Sequence, residues 1–141
     1  MGKRREGREA AVQFLFERDL NQSDHAELLE EFWKIRPAPP KTMEFSNALI
    51  EGVCENQAII DERITRYSAN YDLNRIAVTD RNILRVAIYE MLFLNDVPPV
   101  VSINEAIEIA RRFGAEDSWR FVNGILDRVR AELSRPARTA I

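Results

Sequence analysis

Apolar residues in this chain recur every three to four positions, the period of a helix that buries one face, and no stretch sustains the alternation of a half-buried strand. Ala10, Ala11, Phe14 and Leu15, with the aliphatic stem of Arg18, predict a first helix from Arg5 to about Asn21. Leu28, Leu29, Phe32 and Trp33 predict a second from about Asp24 to Ile35, with Ser23 as its candidate cap. Arg36-Pro37-Ala38-Pro39-Pro40 stops it, because proline cannot continue the hydrogen-bond ladder. A long stripe of Phe45, Leu49, Val53, Ile60, Ile64 and Tyr67 follows from about Met43 to Tyr67, with a kink or split expected near Gly52. A short piece from Leu73 to Ala77 leads to Thr79, a cap candidate for the clearest stripe of all: Ile83, Leu84, Ala87, Ile88, Met91 and Leu92. That helix is expected at the centre of the fold, ending before Val97-Pro98-Pro99.

The last third of the chain holds two local conflicts. Ser102-Ile103-Asn104-Glu105 has the spacing of a capping box, and the helix it would open runs to Phe113, with Gly114 as its C′ stop. Asn123-Gly124 is the dipeptide of a two-residue hairpin turn, yet Phe121, Val122, Ile125, Leu126, Val129 and Leu133 around it keep helical spacing. These apolar positions agree on one period and no strand partners flank them, so the helix prevails. Gly124 then costs the helix about 1 kcal/mol against alanine. The expectation is that it admits a neighbouring helix or a ligand where a side chain would block the approach.

The pattern is therefore all-α: about six or seven helices joined by short loops, one domain over residues 1–133, and a flexible tail over 134–141. A chain of 141 residues buries roughly two thirds of its unfolded surface and needs no staples. Its one cysteine, Cys54, excludes an internal disulfide, points to a reducing compartment and reads as a small buried hydrophobe beside an apolar stripe. The charged start MGKRREGRE is no secretory leader, and no apolar run approaches the roughly 18 residues of a membrane span. A cytoplasmic protein without membrane contact is expected.

Reactive chemistry is hard to assemble from these residues. His25 stands between Asp24 and Glu27 as a solvated helix residue, and with Cys54 so distant it offers no metal-ligand spacing. Glu27, Glu30 and Glu31 read as a wet helix face, and no phosphate-cradling glycine loop follows a strand. No catalysis, cofactor or metal is expected, which leaves surfaces. The net charge of −3 does not by itself point to nucleic acid. Its distribution matters more, because residues 3–8 set Lys3, Arg4, Arg5 and Arg8 against Glu6 alone. Cations in a first turn oppose the helix macrodipole by some tenths of a kcal/mol, so this cluster does not serve its helix. It either holds phosphates or is an ordinary charged terminus. Gln13 and Phe16 add an amide and a ring to the same helix, and Arg8 with Phe16 could line one groove. Charge for the backbone and rings for splayed bases is how single-stranded RNA is bound.

The blocks RREGREAAVQFLF, DRNILRVAIYEML and VSINEAIEIARRFGAEDSWRFVNGILD, in that order, closely resemble the NusB family of bacterial transcription antitermination factors. The likeness covers about residues 4–130, and INEAIE, FGAEDS and FVNG are its most specific motifs. It implies an all-helical fold of two packed bundles and a function without catalysis. Such proteins bind the boxA element of nascent, single-stranded RNA together with NusE, a small-subunit ribosomal protein. Within the transcription elongation complex they help RNA polymerase read through terminators, notably in ribosomal RNA operons. Carried across by position, the resemblance places Arg4, Arg5, Arg8, Gln13, Phe16, Asp117 and Phe121 on the RNA surface and Asp80 on the NusE surface.

Each assignment has a structural rival. Phe121 is periodic with Ile125 and Leu126 and so is also a core position, Asp80 also complements the positive end of its helix, and Arg85 and Glu90 also suit structural hydrogen bonds. Asp117, an anion, would accept from a base amino group or orient an arginine rather than hold phosphate. Two departures from the family pattern stand out. Phe16 lacks the hydroxyl of the tyrosine often found there, and Glu6 replaces a third arginine, which predicts weaker RNA binding alone and more dependence on NusE. Two other readings stay open. One is a self-associating helical domain, since some relatives dimerise and a homodimer could mask the arginines. The other is an RNA-targeting module like the N-terminal part of ribosomal RNA cytosine methyltransferases, which needs a downstream cofactor loop and nucleophilic cysteines that this sequence lacks.

Overall fold

Seven α-helices and one 3-10 turn organise residues 2–21, 24–69 and 72–133, the residues described by the computed structural model. They are α1 (Lys3–Leu20), α2 (His25–Ile35), α3 (Pro40–Glu55), α4 (Gln57–Tyr67), the 3-10 turn Leu73–Arg75, α5 (Val78–Phe93), α6 (Pro99–Phe113) and α7 (Ser118–Glu132). No strand occurs among the described residues, and none of their helices is long and apolar enough to cross a membrane. α1 packs on α2 and α3 and α6 packs on α7, while α5 touches α1, α3, α4, α6 and α7 and so joins the two bundles. The central position expected for this helix is the one it occupies.

α5 is buried nearly all round. Ile83, Leu84, Val86, Ala87, Ile88 and Met91 are core, but so are Asp80, Asn82, Arg85 and Glu90. Buried charge is costly unless paired, and Arg85 and Glu90 meet that cost as ion-paired joints between helices. Arg85 donates to both oxygens of Asp61 on α4 (2.8 and 3.0 Å) and to Asp19 of α1 (2.7 Å). Arg81 and Asn82 each reach the same Asp19 oxygen at 3.0 Å. Burial alone would raise the Asp19 carboxyl, but Arg85, Asn82 and Arg81 outweigh it and hold the group below its ordinary value. The structural role expected of Arg85 is thus seen.

The boundaries depart from expectation where side chains were drawn away from local duty. α2 is capped by Asp24, whose carboxylate accepts from the Glu27 amide at 3.2 Å; Ser23 lies outside the described residues. The long stripe splits at Asn56 rather than Gly52, with the Asn56 amide and side chain both donating to the Gly52 carbonyl (3.1 and 2.8 Å). Gly52 has another purpose: a Cβ there would lie 2.0 Å from the ring of Tyr89, so the glycine lets α3 and α5 close up. α5 begins at Val78, so Thr79 sits in its first turn and does not cap it. α6 begins at Pro99, because a proline at the first position has the right φ and lacks only a hydrogen that would go unused. Ser102 and Glu105 therefore lie inside α6, and the capping box is not formed. Gly114 does end α6, but with extended backbone (φ −89°, ψ −179°) rather than the left-handed stop; a Cβ there would meet Ser118 at 2.7 Å. α7 runs unbroken through Asn123-Gly124, with Val122, Ile125, Leu126 and Val129 buried. The tail expected over 134–141 lies outside the described residues.

Candidate nucleic-acid interface

The arginine-rich start divides by burial. Arg4 is exposed, its guanidinium 5.3 Å from the centre of the Phe45 ring. Arg5 is partly exposed and forks onto Glu105 of α6 through contacts of 2.9 and 2.7 Å, which pull the Glu105 carboxyl below its ordinary range. Arg8 is 4 % exposed and donates from Nε and Nη2 to the two oxygens of Glu90 on α5 at 2.7 and 2.8 Å. Ser102 completes the pair by donating to Glu90 at 3.1 Å. Arg8 therefore does not reach the phosphate surface expected of it. Its charge is matched by the Glu90 carboxylate, and its burial keeps the remaining N–H groups from a ligand on the surface. Nor does Arg8 line a groove with Phe16.

Gln13 and Phe16 do share an open groove, of about 190 Å³, with Glu9, Val12, Thr79 and Phe113. Its apolar wall includes Phe113, 53 % exposed, over which Arg112 lies at 5.1 Å while pairing with Glu9 at 2.9 Å.

Around the start of α7 the expected residues fall into three different situations. Asp117 is the exposed residue before the helix, its side chain capping nothing. Phe121, half-buried, separates two open grooves of about 230 and 220 Å³. One is lined by Arg75, Ile76, Ala77 and Asp80, the other by Tyr67, Ser68, Ala69, Arg120, Gly124, Ile125 and Arg128. Asp80 is 8 % exposed. One of its oxygens accepts from the Ser118 hydroxyl at 3.1 Å, that hydroxyl in turn accepts from the Ala115 amide at 2.9 Å, and the other oxygen has no hydrogen-bond partner. Burial pushes the Asp80 carboxyl up, partly offset by the Ser118 bond. Little of Asp80 faces outward for a protein partner; its evident work is to hold the turn that launches α7.

Gly124 gives a further correction. A Cβ at this exposed position would meet nothing within 4 Å, so no helix of this chain demands the glycine. Sequence reasoning also passed over Arg75, Arg120 and Arg128, although Arg120, Gly124 and Arg128 stand four residues apart and so fall on one side of a helix.

Among the described residues no cluster of histidine, cysteine and carboxylates could hold a metal ion. His25 lies 3.3 Å from Glu51 and edge-on to Phe14, while half-buried Cys54 takes a contact from Arg18 at 2.9 Å, its thiol pushed up by burial. These features define a class: an all-helical, two-bundle protein with open surface grooves lined by aromatic and cationic side chains. The NusB family matches residues 5–131. The chain is 42% identical over 140 residues to the transcription antitermination protein NusB of Myxococcus xanthus, covering 96% of this chain and all of that one. It is 46% identical over 134 residues to the protein of that name from Geobacter sulfurreducens, covering 94% and 97%. The solved structure of T. maritima NusB superposes with a TM-score of 0.85 at 44% identity, covering 94% of this chain and 93% of that one. The structure of antitermination factors NusB and NusE in complex with dsRNA shares the fold at a TM-score of 0.85 and 22% identity, over 94% and 99% of the two chains. The chain belongs to the NusB family.

Proposed function

We propose that this protein is a non-catalytic transcription antitermination factor that binds boxA-type RNA together with the ribosomal protein NusE. Relatives that match it over nearly their whole length carry the name of antitermination protein, and a chain of the same fold stands with NusE and RNA. Within the elongation complex it supports transcription of ribosomal RNA operons. The observation that carries the reading is Phe121: a half-buried ring between two open grooves, one turn beyond an exposed Asp117 that caps nothing. A ring so placed can stack a splayed base, and the nearby carboxylate can accept from a base amino group. Arg4 and Arg5 add positive charge at the start of α1, with Arg8 holding that helix from behind. Gln13 and Phe16 supply an amide and a ring in the separate groove that they share with Glu9 and Phe113.

The test is retention of labelled boxA RNA by this protein with NusE. Retention that weakens as salt rises and falls by about 1–3 kcal/mol in Phe121→Ala supports the reading. Binding indifferent to salt and to Phe121 would sink it. Light scattering with and without RNA addresses the homodimer: a dimer that masks the arginine-rich start should dissociate as RNA is added.

A further inference from the structure

The cations best placed to hold a phosphate are those with no carboxylate of their own among the described residues, and of the three arginines at the start of α1 only Arg4, lying against the Phe45 ring, meets that condition. Arg5 and Arg8 are spoken for by Glu105 and Glu90. Arg75, Arg120 and Arg128 are exposed, and among the described residues none has a carboxylate partner. All three line the two grooves that meet at Phe121. Two carboxylates of α7 carry cations already: Asp127 takes Arg130 at 2.7 Å, and Glu132 takes Arg63 at 2.6 Å together with Arg66 and the Tyr67 hydroxyl. Arg120, whose guanidinium lies 5.3 Å from the centre of the Trp119 ring, and Arg128 thus keep charge that no carboxylate among the described residues neutralises. Between them, one helical turn from each, is Gly124, where the side of the helix is bare and open. From Arg120 to Arg128 the axial rise is about 12 Å, and Phe121 stands beside the first of them.

We propose that the single-stranded RNA backbone runs along this side of α7, its phosphates held by Arg120 and Arg128, its chain passing over Gly124 and one base resting on Phe121, with Arg75 on the far side of the ring. This rests on the RNA-binding reading above and extends it by assigning the path of the backbone. It also accounts for the glycine. No neighbour within the protein needs the space, and a helix would otherwise be more stable with almost any residue in place of Gly124.

The experiment measures binding to a labelled boxA RNA and to a poly(U) strand of equal length, with NusE present, across a salt series. The double variant Arg120→Gln, Arg128→Gln should bind both RNAs several-fold more weakly, because phosphate contacts carry no sequence information. Its plot of log affinity against log salt should flatten by about 1.4, at about 0.7 per phosphate neutralised. Gly124→Gln should unfold at the same or a higher temperature than the parent yet bind both RNAs more weakly. Parent-like affinity and slope in the double variant, with Phe121→Ala still weakened, overturns the path and leaves the proposed function standing. A loss confined to boxA RNA also overturns it, since that would mark base contacts. If the parent with NusE binds neither RNA, the function and the path fall together.

Discussion

Phe121 and Arg8 show how one residue's surroundings decide between two uses of the same chemistry. Helical periodicity places Phe121 on the apolar stripe of α7, but periodicity cannot distinguish the middle of a stripe from its edge, and the structure puts the ring at the edge, half-buried between two grooves. Phe121→Ala should therefore cost less stability than the roughly 3–5 kcal/mol of a fully buried phenylalanine while RNA binding falls; urea unfolding beside RNA titration checks both. Arg8 sits in a charged run that reads as surface. Its fate depends on Glu90, 82 positions away, and no local pattern announces such a partner. Arg8→Ala strands a buried carboxylate and should cost about 3–5 kcal/mol. Arg4→Ala, exposed, should change stability by no more than about 0.5 kcal/mol. Equal small losses in both variants, read from urea midpoints, would return Arg8 to the surface.

Helix existence was legible from the spacing of apolar residues, whereas two helix starts were not. Thr79 and Ser102 have the chemistry of caps, but Ala77-Val78 and the Pro98-Pro99 pair begin their helices earlier and leave those side chains inside the first turn. Ser102 then serves Glu90, and Glu105 serves Arg5. At the start of α7 the same substitution of long-range for local bonding links Asp80 of α5 to Ser118 and the Ala115 amide. Ser118→Ala removes the acceptor of that amide and the donor to Asp80, and should cost about 1–3 kcal/mol. Because the turn positions Asp117 and Phe121, RNA affinity should fall as well. A variant destabilised to that extent but with unaltered RNA affinity would show that the turn does not position the RNA face.

Stability against pH integrates these carboxylates over the whole molecule. Asp19, Glu105 and Glu132 titrate below their ordinary values in the fold. Each therefore contributes stability that is complete above the ordinary carboxylate pKa of about 4 and is lost as pH falls through the lower folded value. Asp80 has the opposite sign: its folded value is raised, so its contribution is complete at low pH and lost as pH rises through that raised value. Three groups against one predict a melting temperature that drops steeply below about pH 4, and Glu105→Gln should make the drop shallower. A melting temperature flat down to pH 3 would mean that these pairs do not form in solution. The two-bundle arrangement itself was legible from the resemblance of three sequence blocks, since spacing alone counts helices without saying which ones pack.

The pairs Arg5–Glu105 and Arg8–Glu90 have one more consequence, for the rate at which the end of the chain opens. Terminal helices ordinarily fray, and their first amides exchange hydrogen with solvent through small local openings. Here the first two turns of α1 are fastened to α6 and α5, and lifting them means parting a buried bidentate pair. Amide exchange beyond the first turn of α1 should then follow unfolding of the whole protein rather than fraying of its end.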